Sequence, residues 1–264
     1  GRNDVVKFYS LWDKGRDAAP PVVGAVFDRW ERMVGAENVH IVEEAELAVH
    51  MDALGVGHLD LTIQTRSDLL RTHLLLEHGG AWFDATVMPM AGVAEWAETT
   101  ITSAPFFAFR RPRDQVMLSS RFLVARPGAY LLKAWLRNMQ VYWDRNRYRP
   151  SRGYVKWGHR KWGKRAQNDP VWSVTPGQGA ESSFCRYLST HYIFEYTVRT
   201  DPRAAAQWDA MRKLSAHPPH LIQRVREVAT DAEFVDLLPD LLDKSAVHKL
   251  CWRKVWPQKF LAEI

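Results

Sequence analysis

Residues 65–87 read Thr65-Arg66-Ser67-Asp68-Leu69-Leu70-Arg71-Thr72-His73-Leu74-Leu75-Leu76-Glu77-His78-Gly79-Gly80-Ala81-Trp82-Phe83-Asp84-Ala85-Thr86-Val87. Thr65 followed three residues later by Asp68 is a capping-box-like helix start, Leu69, Leu70, Leu74 and Leu76 give an apolar face, and Gly79-Gly80 is a helix stop. A helix is therefore expected to turn tightly into a strand. Over Ala81 to Val87 the strand period of two puts Trp82, Asp84 and Thr86 on one face and Ala81, Phe83, Ala85 and Val87 on the other. An acid in so apolar a strand is costly unless cations or hydrogen-bond donors meet it. Asp84 thus reads either as a paired structural carboxylate or as a functional one. Asp68 and Arg71, at i and i+3 on the first turn of the helix, fit a surface ion pair or two ligand-holding groups.

Outward from this stretch, Val5 to Trp12 reads as a first strand, Pro20-Pro21 opens an amphipathic helix reaching about Met33, and Val39 to Val42 reads as a second strand. Glu43 to Leu54 has helical composition and is ended by Gly55 and Gly57. Strand, helix, strand, helix is the opening of a parallel, Rossmann-like sheet, which binds ligands at the carboxyl ends of its strands. Downstream, Thr99 to Arg110 and Ser119 to Ala125 read as strands and Gly128 to Tyr142 as a helix. The rest reads as mostly helical, over Gly179–Val198, Ala204–Leu214, Pro219–Val228 and Asp231–Asp243, before the segment Ser245 to Trp252.

The chain has 264 residues, 46% hydrophobic and 25% charged, which excludes disorder, collagen-like repeats and a disulfide scaffold. Two cysteines, Cys185 and Cys251, give no zinc spacing and suit a reducing compartment. No apolar run approaches the roughly 18 residues of a membrane helix, and Gly1 to Ser10 is no signal peptide, so a soluble protein is expected. A net charge of +6 points to an anionic partner, and 12 Trp residues offer faces that stack on bases and sugars. Residues 145–165 hold nine Lys or Arg, including Arg147, Arg149, Lys161 and Lys164, interleaved with Tyr148, Tyr154, Trp157 and Trp162 and without an acid. That composition fits a solvated face, an acceptor site or an anionic membrane contact. His73, His78 and His191 lie among apolar residues and read as structural, and Met88 and Met90 as core filler.

The ordered string Ser67-Asp68-Leu69-Leu70-Arg71, apolar helix, Gly79-Gly80, Trp82-Phe83-Asp84-Ala85-Thr86 resembles the capsular polysaccharide synthesis proteins, relatives of glycosyltransferase family 32. The resemblance extends from Trp12-Asp13-Lys14-Gly15 to Val247-His248-Lys249-Leu250. It implies a single GT-A domain, a Rossmann-like mixed sheet flanked by helices. Residues 1–125 would form the nucleotide-sugar-binding core and 126–264 a mostly helical acceptor-side part. By the same resemblance Asp68, Arg71 and Asp84 are the catalytic residues. Trp12, Asp68, Arg71, Asp84, Thr86 and Lys249 would bind the donor, with Trp12 against the base. Asp84 and His248 would hold Mn²⁺ or Mg²⁺. Thr86 stands where the family motif has a second acid, and a hydroxyl is a poor substitute for a carboxylate toward such ions. Lys249 and arginines could instead neutralise a leaving diphosphate.

The activity implied is transfer of a sugar from a nucleotide sugar to a glycan or lipid-linked glycan in bacterial surface polysaccharide synthesis, with retention of configuration. Arg147, Arg149, Trp157, Lys161, Trp162 and Lys164 are then expected to touch the acceptor or the membrane, in the cytoplasm or on the inner membrane face, with no nucleic acid. Three readings compete: a transferase of another activated group, a nucleic-acid binder using residues 145–165, and an inactive glycan-binding descendant.

Overall fold

A computed structural model describes residues 7–145, 169–182 and 185–264. Phe8–Leu11 (β1) and Gly80–Phe83 (β3) are buried along their whole length, as strands covered by helices on both faces must be. They lie side by side in a five-stranded sheet of order β2-β1-β3-β6-β5, with Val39–Val42 as β2, Phe106–Arg113 as β5 and Val116–Ala125 as β6. β1 runs parallel to β2 and β3, whereas β6 runs antiparallel to both β3 and β5. The sheet is therefore mixed, flanked by Pro21–Val34 (α1), Glu44–Ala53 (α2), Ile63–His78 (α3), Val93–Thr100 (α4) and Tyr130–Trp143 (α5). A second ladder pairs Val87–Pro89 (β4) antiparallel with Val247–Lys249 (β7).

The core is aromatic. Trp30 of α1 stacks on Phe83 with ring centroids 4.3 Å apart, and its indole N–H donates to Val87 O at 2.7 Å. This satisfies the one polar atom of a fully buried Trp and ties α1 to the end of the central motif. Gly79 and Gly80 both have positive φ, +66° and +105°. At Gly80 a Cβ would lie 2.4 Å from Lys7 O, and at Gly79 2.5 Å from Pro127 Cδ, so this helix-to-strand turn requires two glycines.

Several boundaries differ from the sequence expectation; β6 begins at Val116 rather than Ser119, and the helix expected over Ala204–Leu214 ends at Ala210. α3 begins at Ile63 with Thr62 as its cap, and Thr65, expected to cap, instead donates its N–H to Thr62 Oγ1 at 3.2 Å. The strand expected over Ala81–Val87 stops at Phe83, because the chain reverses there and Val87 N–H bonds Asp84 O at 2.8 Å. The start of the strand expected at Thr99–Arg110 lies in α4, whose apolar side is buried at Val93 and Ala97, and the strand begins at Phe106. In place of one helix over Gly179–Val198 there is a 3₁₀ turn at Gly179–Glu181 and a helix at Ser189–Thr200. Pro202–Ala210, His217–Val228 and Asp231–Leu242 follow as helices, the last opened by a capping box of Thr230 and Glu233.

Candidate active site

β1 is followed by β2 on one side, and the chain then crosses to place β3 on the other. The chain thus changes direction across the sheet between β1 and β3, and the carboxyl ends of two such strands form a crevice. Trp12 follows β1 and Asp84 follows β3 at this edge. α3 leads directly into β3 and so runs back against it, which sets its amino-terminal turns, and with them Asp68 and Arg71, over the same edge.

Arg71 joins these elements. Its Nη1 lies 2.9 Å from Asp84 Oδ1 and donates to Ser120 O at 2.6 Å, while Nη2 lies 3.6 Å from Asp68 Oδ1. Nη2 also donates to Ser67 Oγ at 2.6 Å and Nε to Ser67 O at 3.2 Å, and the guanidinium sits 4.8 Å from the Trp82 ring centroid. The Trp82 indole N–H donates to Asp84 Oδ1 at 3.0 Å. The Arg71 side chain is only 6% exposed, against 17% for Asp68 and 26% for Asp84, so both acids keep an open side beyond the buried cation. This is a fixed fork with five donors used in several directions, which a lysine could not reproduce.

The two acids differ in how readily they take up a proton. Burial works to raise the Asp84 carboxyl, but Arg71, then Lys249, the Trp82 indole and Arg121 together hold it below the usual carboxylate range. Burial pushes Asp68 up to about 6, opposed by Arg71 and the Thr190 side chain and reinforced by the charge of Asp84. Lys249 is brought down to about 8, by burial first, with Asp84 opposing and Arg121 adding.

Lys249 arrives on β7, opposite Val87. Its ammonium donates to Thr86 Oγ1, and Leu250 N–H bonds Thr86 O at 2.7 Å. His248 precedes Lys249 on that strand and so points to the other face; it is buried, with Nε2 2.9 Å from Leu242 O. The expected Asp84–His248 metal pair is therefore not assembled. Thr86 is buried and bonded to a cation, Asp84 is bonded to Arg71 and Trp82, and among the described residues no cluster of three or more His, Cys, Asp or Glu could hold an ion. This donor set does not fit the Mn²⁺ or Mg²⁺ that the resemblance implied.

Residues 2–155, more than half of the chain, match the capsular polysaccharide synthesis protein family. The chain belongs to that family. A curated relative, the O-glycosyltransferase braB of Annulohypoxylon truncatum, is 27% identical over 161 residues, 52% of this chain. The chain spans 37% of the length of that relative. Among solved structures, the PaToxG glycosyltransferase is similar at a TM-score of 0.36 and 10% identity, over 73% of this chain and 86% of that one. The galactosyltransferase LgtC, solved in complex with donor and acceptor sugar analogues, is similar at a TM-score of 0.32 and 13% identity, over 98% and 100%.

Of the site residues expected in this capsular-family chain, the structure brings together Asp68, Arg71, Asp84, Thr86 and Lys249. Trp12 lies at the same edge, edge-on to Trp252 at 6.2 Å, with its indole N–H buried and without a partner among the described residues. Arg147, Arg149, Trp157, Lys161, Trp162 and Lys164 lie outside the described residues. Residues that the sequence reading passed over also reach the site. Arg121 is opposite Asp84, whose N–H bonds Arg121 O at 2.8 Å. His220 lies 3.4 Å from the Arg121 guanidinium, and His191, read as structural, lies 3.1 Å from Ser120 Oγ. Burial, with the charges of Arg71 and Arg121, brings His191 to about 4, and burial with Arg121, Arg224 and Lys249 brings His220 to about 3, so both rings are neutral at pH 7. The available signal was the arginine inside Ser119-Ser120-Arg121-Phe122-Leu123-Val124, a charge in an otherwise apolar strand.

Proposed function

We propose that this chain transfers a sugar from a nucleotide-sugar donor to a glycan or lipid-linked glycan in surface polysaccharide synthesis, on a GT-A-type scaffold. The observation that carries the reading is the Asp68–Arg71–Asp84 chain of charges at the crevice between β1 and β3, built from the motif of a capsular polysaccharide synthesis family. A carboxylate accepts hydrogen bonds from vicinal sugar hydroxyls, a role open to the exposed side of Asp68. Asp84, kept ionised by its cations, is a weak base and a strong electrostatic partner for an oxocarbenium-like transition state, which suits transfer with retention. Trp12, which follows β1 at this edge and is only partly buried, offers a ring face to the base.

Residues 145–165, basic and aromatic without an acid, suit contact with the acceptor or with an anionic membrane on the cytoplasmic face. Among the described residues no helix is long and apolar enough to cross a membrane.

Two measurements test the reading. A panel of nucleotide sugars should give one that raises the melting temperature by mass action. Asp84→Asn should keep the fold yet lower transfer from that donor by ~100-fold or more, the scale of losing a key electrostatic contact in a transition state. Near wild-type turnover of Asp84→Asn would overturn the assignment.

A further inference from the structure

Cations outnumber acids at this crevice. Arg71 is engaged by Asp84 and Asp68 together. Arg121 and Lys249 are not: among the described residues neither has a carboxylate within ion-pair distance, although both lower the Asp84 carboxyl through space. Arg121 leans on a neutral histidine ring and Lys249 on the Thr86 hydroxyl. Each is held half-buried by a separate part of the chain, Arg121 by β6 across from Asp84 and Lys249 by β7 across from Val87. The charges of Arg113 and Arg224 reach the same region through Arg121 and His220. A fold that withdraws cations from water without pairing them carries a cost that a bound anion removes. A divalent cation placed here would meet the repulsion of the same groups, and among the described residues the two carboxylates near it, Asp68 and Asp84, both face Arg71.

We propose that Arg121 and Lys249 bind the diphosphate of the donor and neutralise it as it leaves, so that this chain works without a metal ion. The proposal rests on the transferase reading above. The bond between the anomeric carbon and the diphosphate oxygen breaks with its electron pair passing to that oxygen. The new charge is met by the guanidinium and the ammonium. The acceptor hydroxyl oxygen bonds the anomeric carbon, and its proton passes to the departing phosphate oxygen. Two separate cations suit this task because the negative charge is spread over two phosphate groups, which a fork and a point charge meet from different sides.

Calorimetry with UDP and GDP, in excess EDTA and in Mn²⁺, together with transfer assays in both buffers, tests the proposal. For whichever diphosphate binds, affinity in EDTA should lie within ~3-fold of that in Mn²⁺, and Arg121→Met and Lys249→Met should each weaken it by ~10-fold or more, as loss of a charged hydrogen bond does. Arg121→Lys and Lys249→Arg should recover most of the loss, which separates lost charge from a damaged fold. Transfer that proceeds in Mn²⁺ but collapses in EDTA, or diphosphate binding untouched by both Met variants, would overturn the proposal and leave the transferase reading standing. No diphosphate binding and no transfer in either buffer would overturn both.

Discussion

Arg71→Met isolates the charge that organises the crevice. Methionine keeps much of the apolar stem but removes the ion pair to Asp84 at 2.9 Å and the hydrogen bonds to Ser120 O and Ser67, beneath a surface only 6% exposed. Breaking a buried pair by deleting one partner costs ~3–5 kcal/mol, and because a quarter of the Asp84 side chain still meets solvent, the lower end, about 3 kcal/mol, applies. For a chain of this size that is a fall in melting temperature of about 6–12 °C. Adding Asp84→Asn removes the stranded charge, so the double variant should be more stable than Arg71→Met alone, with a coupling energy of at least about 1.5 kcal/mol. The pH dependence gives an independent sign. In the wild type Asp84 has a depressed carboxyl, whose stabilisation is present above the unfolded value of about 3.9 and is lost as pH falls through the folded value. In Arg71→Met, burial acts without its nearest opponent and raises the carboxyl, so protonation relieves the penalty. Urea melts of the three variants at pH 7 and about pH 4.5 should show the gap between wild type and Arg71→Met narrowing on acidification. A gap that widens, or a double variant no more stable than the single, would refute the reasoning.

Asp68→Asn should act in opposite directions on stability and function. With Asp68 at about 6 when folded, above its unfolded value, ionisation opposes folding at pH 7.5 and not below about pH 4, so the variant should gain up to ~2 kcal/mol at pH 7.5 and nothing at pH 4, while losing donor affinity. Comparable destabilisation at pH 7.5 would sink that account. Gly80→Ala should cost about 3 kcal/mol or more, because φ is +105° and the new Cβ would lie 2.4 Å from Lys7 O. Soluble yield and melting temperature close to those of the wild type would count against the close approach.

The parts of this protein legible in its sequence were those set by local chemistry. β2 runs over Val39–Val42 as read, and α1, the second helix and α5 fall within two residues of the expected bounds, because apolar periodicity, Pro20-Pro21 and the paired glycines act within a few residues. Asp84 was legible as a charge needing partners, and Arg71 is its partner. The rest depends on contacts between distant segments. Period-two patterning through Asp84-Ala85-Thr86 cannot report that the chain reverses there, nor can the residues of β7 announce that they pair with β4. Arg121 and His220 gain meaning only once the fold sets them side by side. His248 and Lys249 are neighbours in sequence, yet a strand sends them to opposite faces, so an expectation that treated them as a pair could hold for only one.

The bond between Lys249 and Thr86 joins residues 163 positions apart. Closing a loop of that size costs more chain entropy than the β1–β2 pairing does. Asp68, Arg71 and Asp84 come from one short stretch, whereas the ammonium reaches the crevice only through the pairing of β7 with β4. Without that pairing the crevice lacks its cation beside Thr86, so a complete site depends on distant sequence as well as on its own motif.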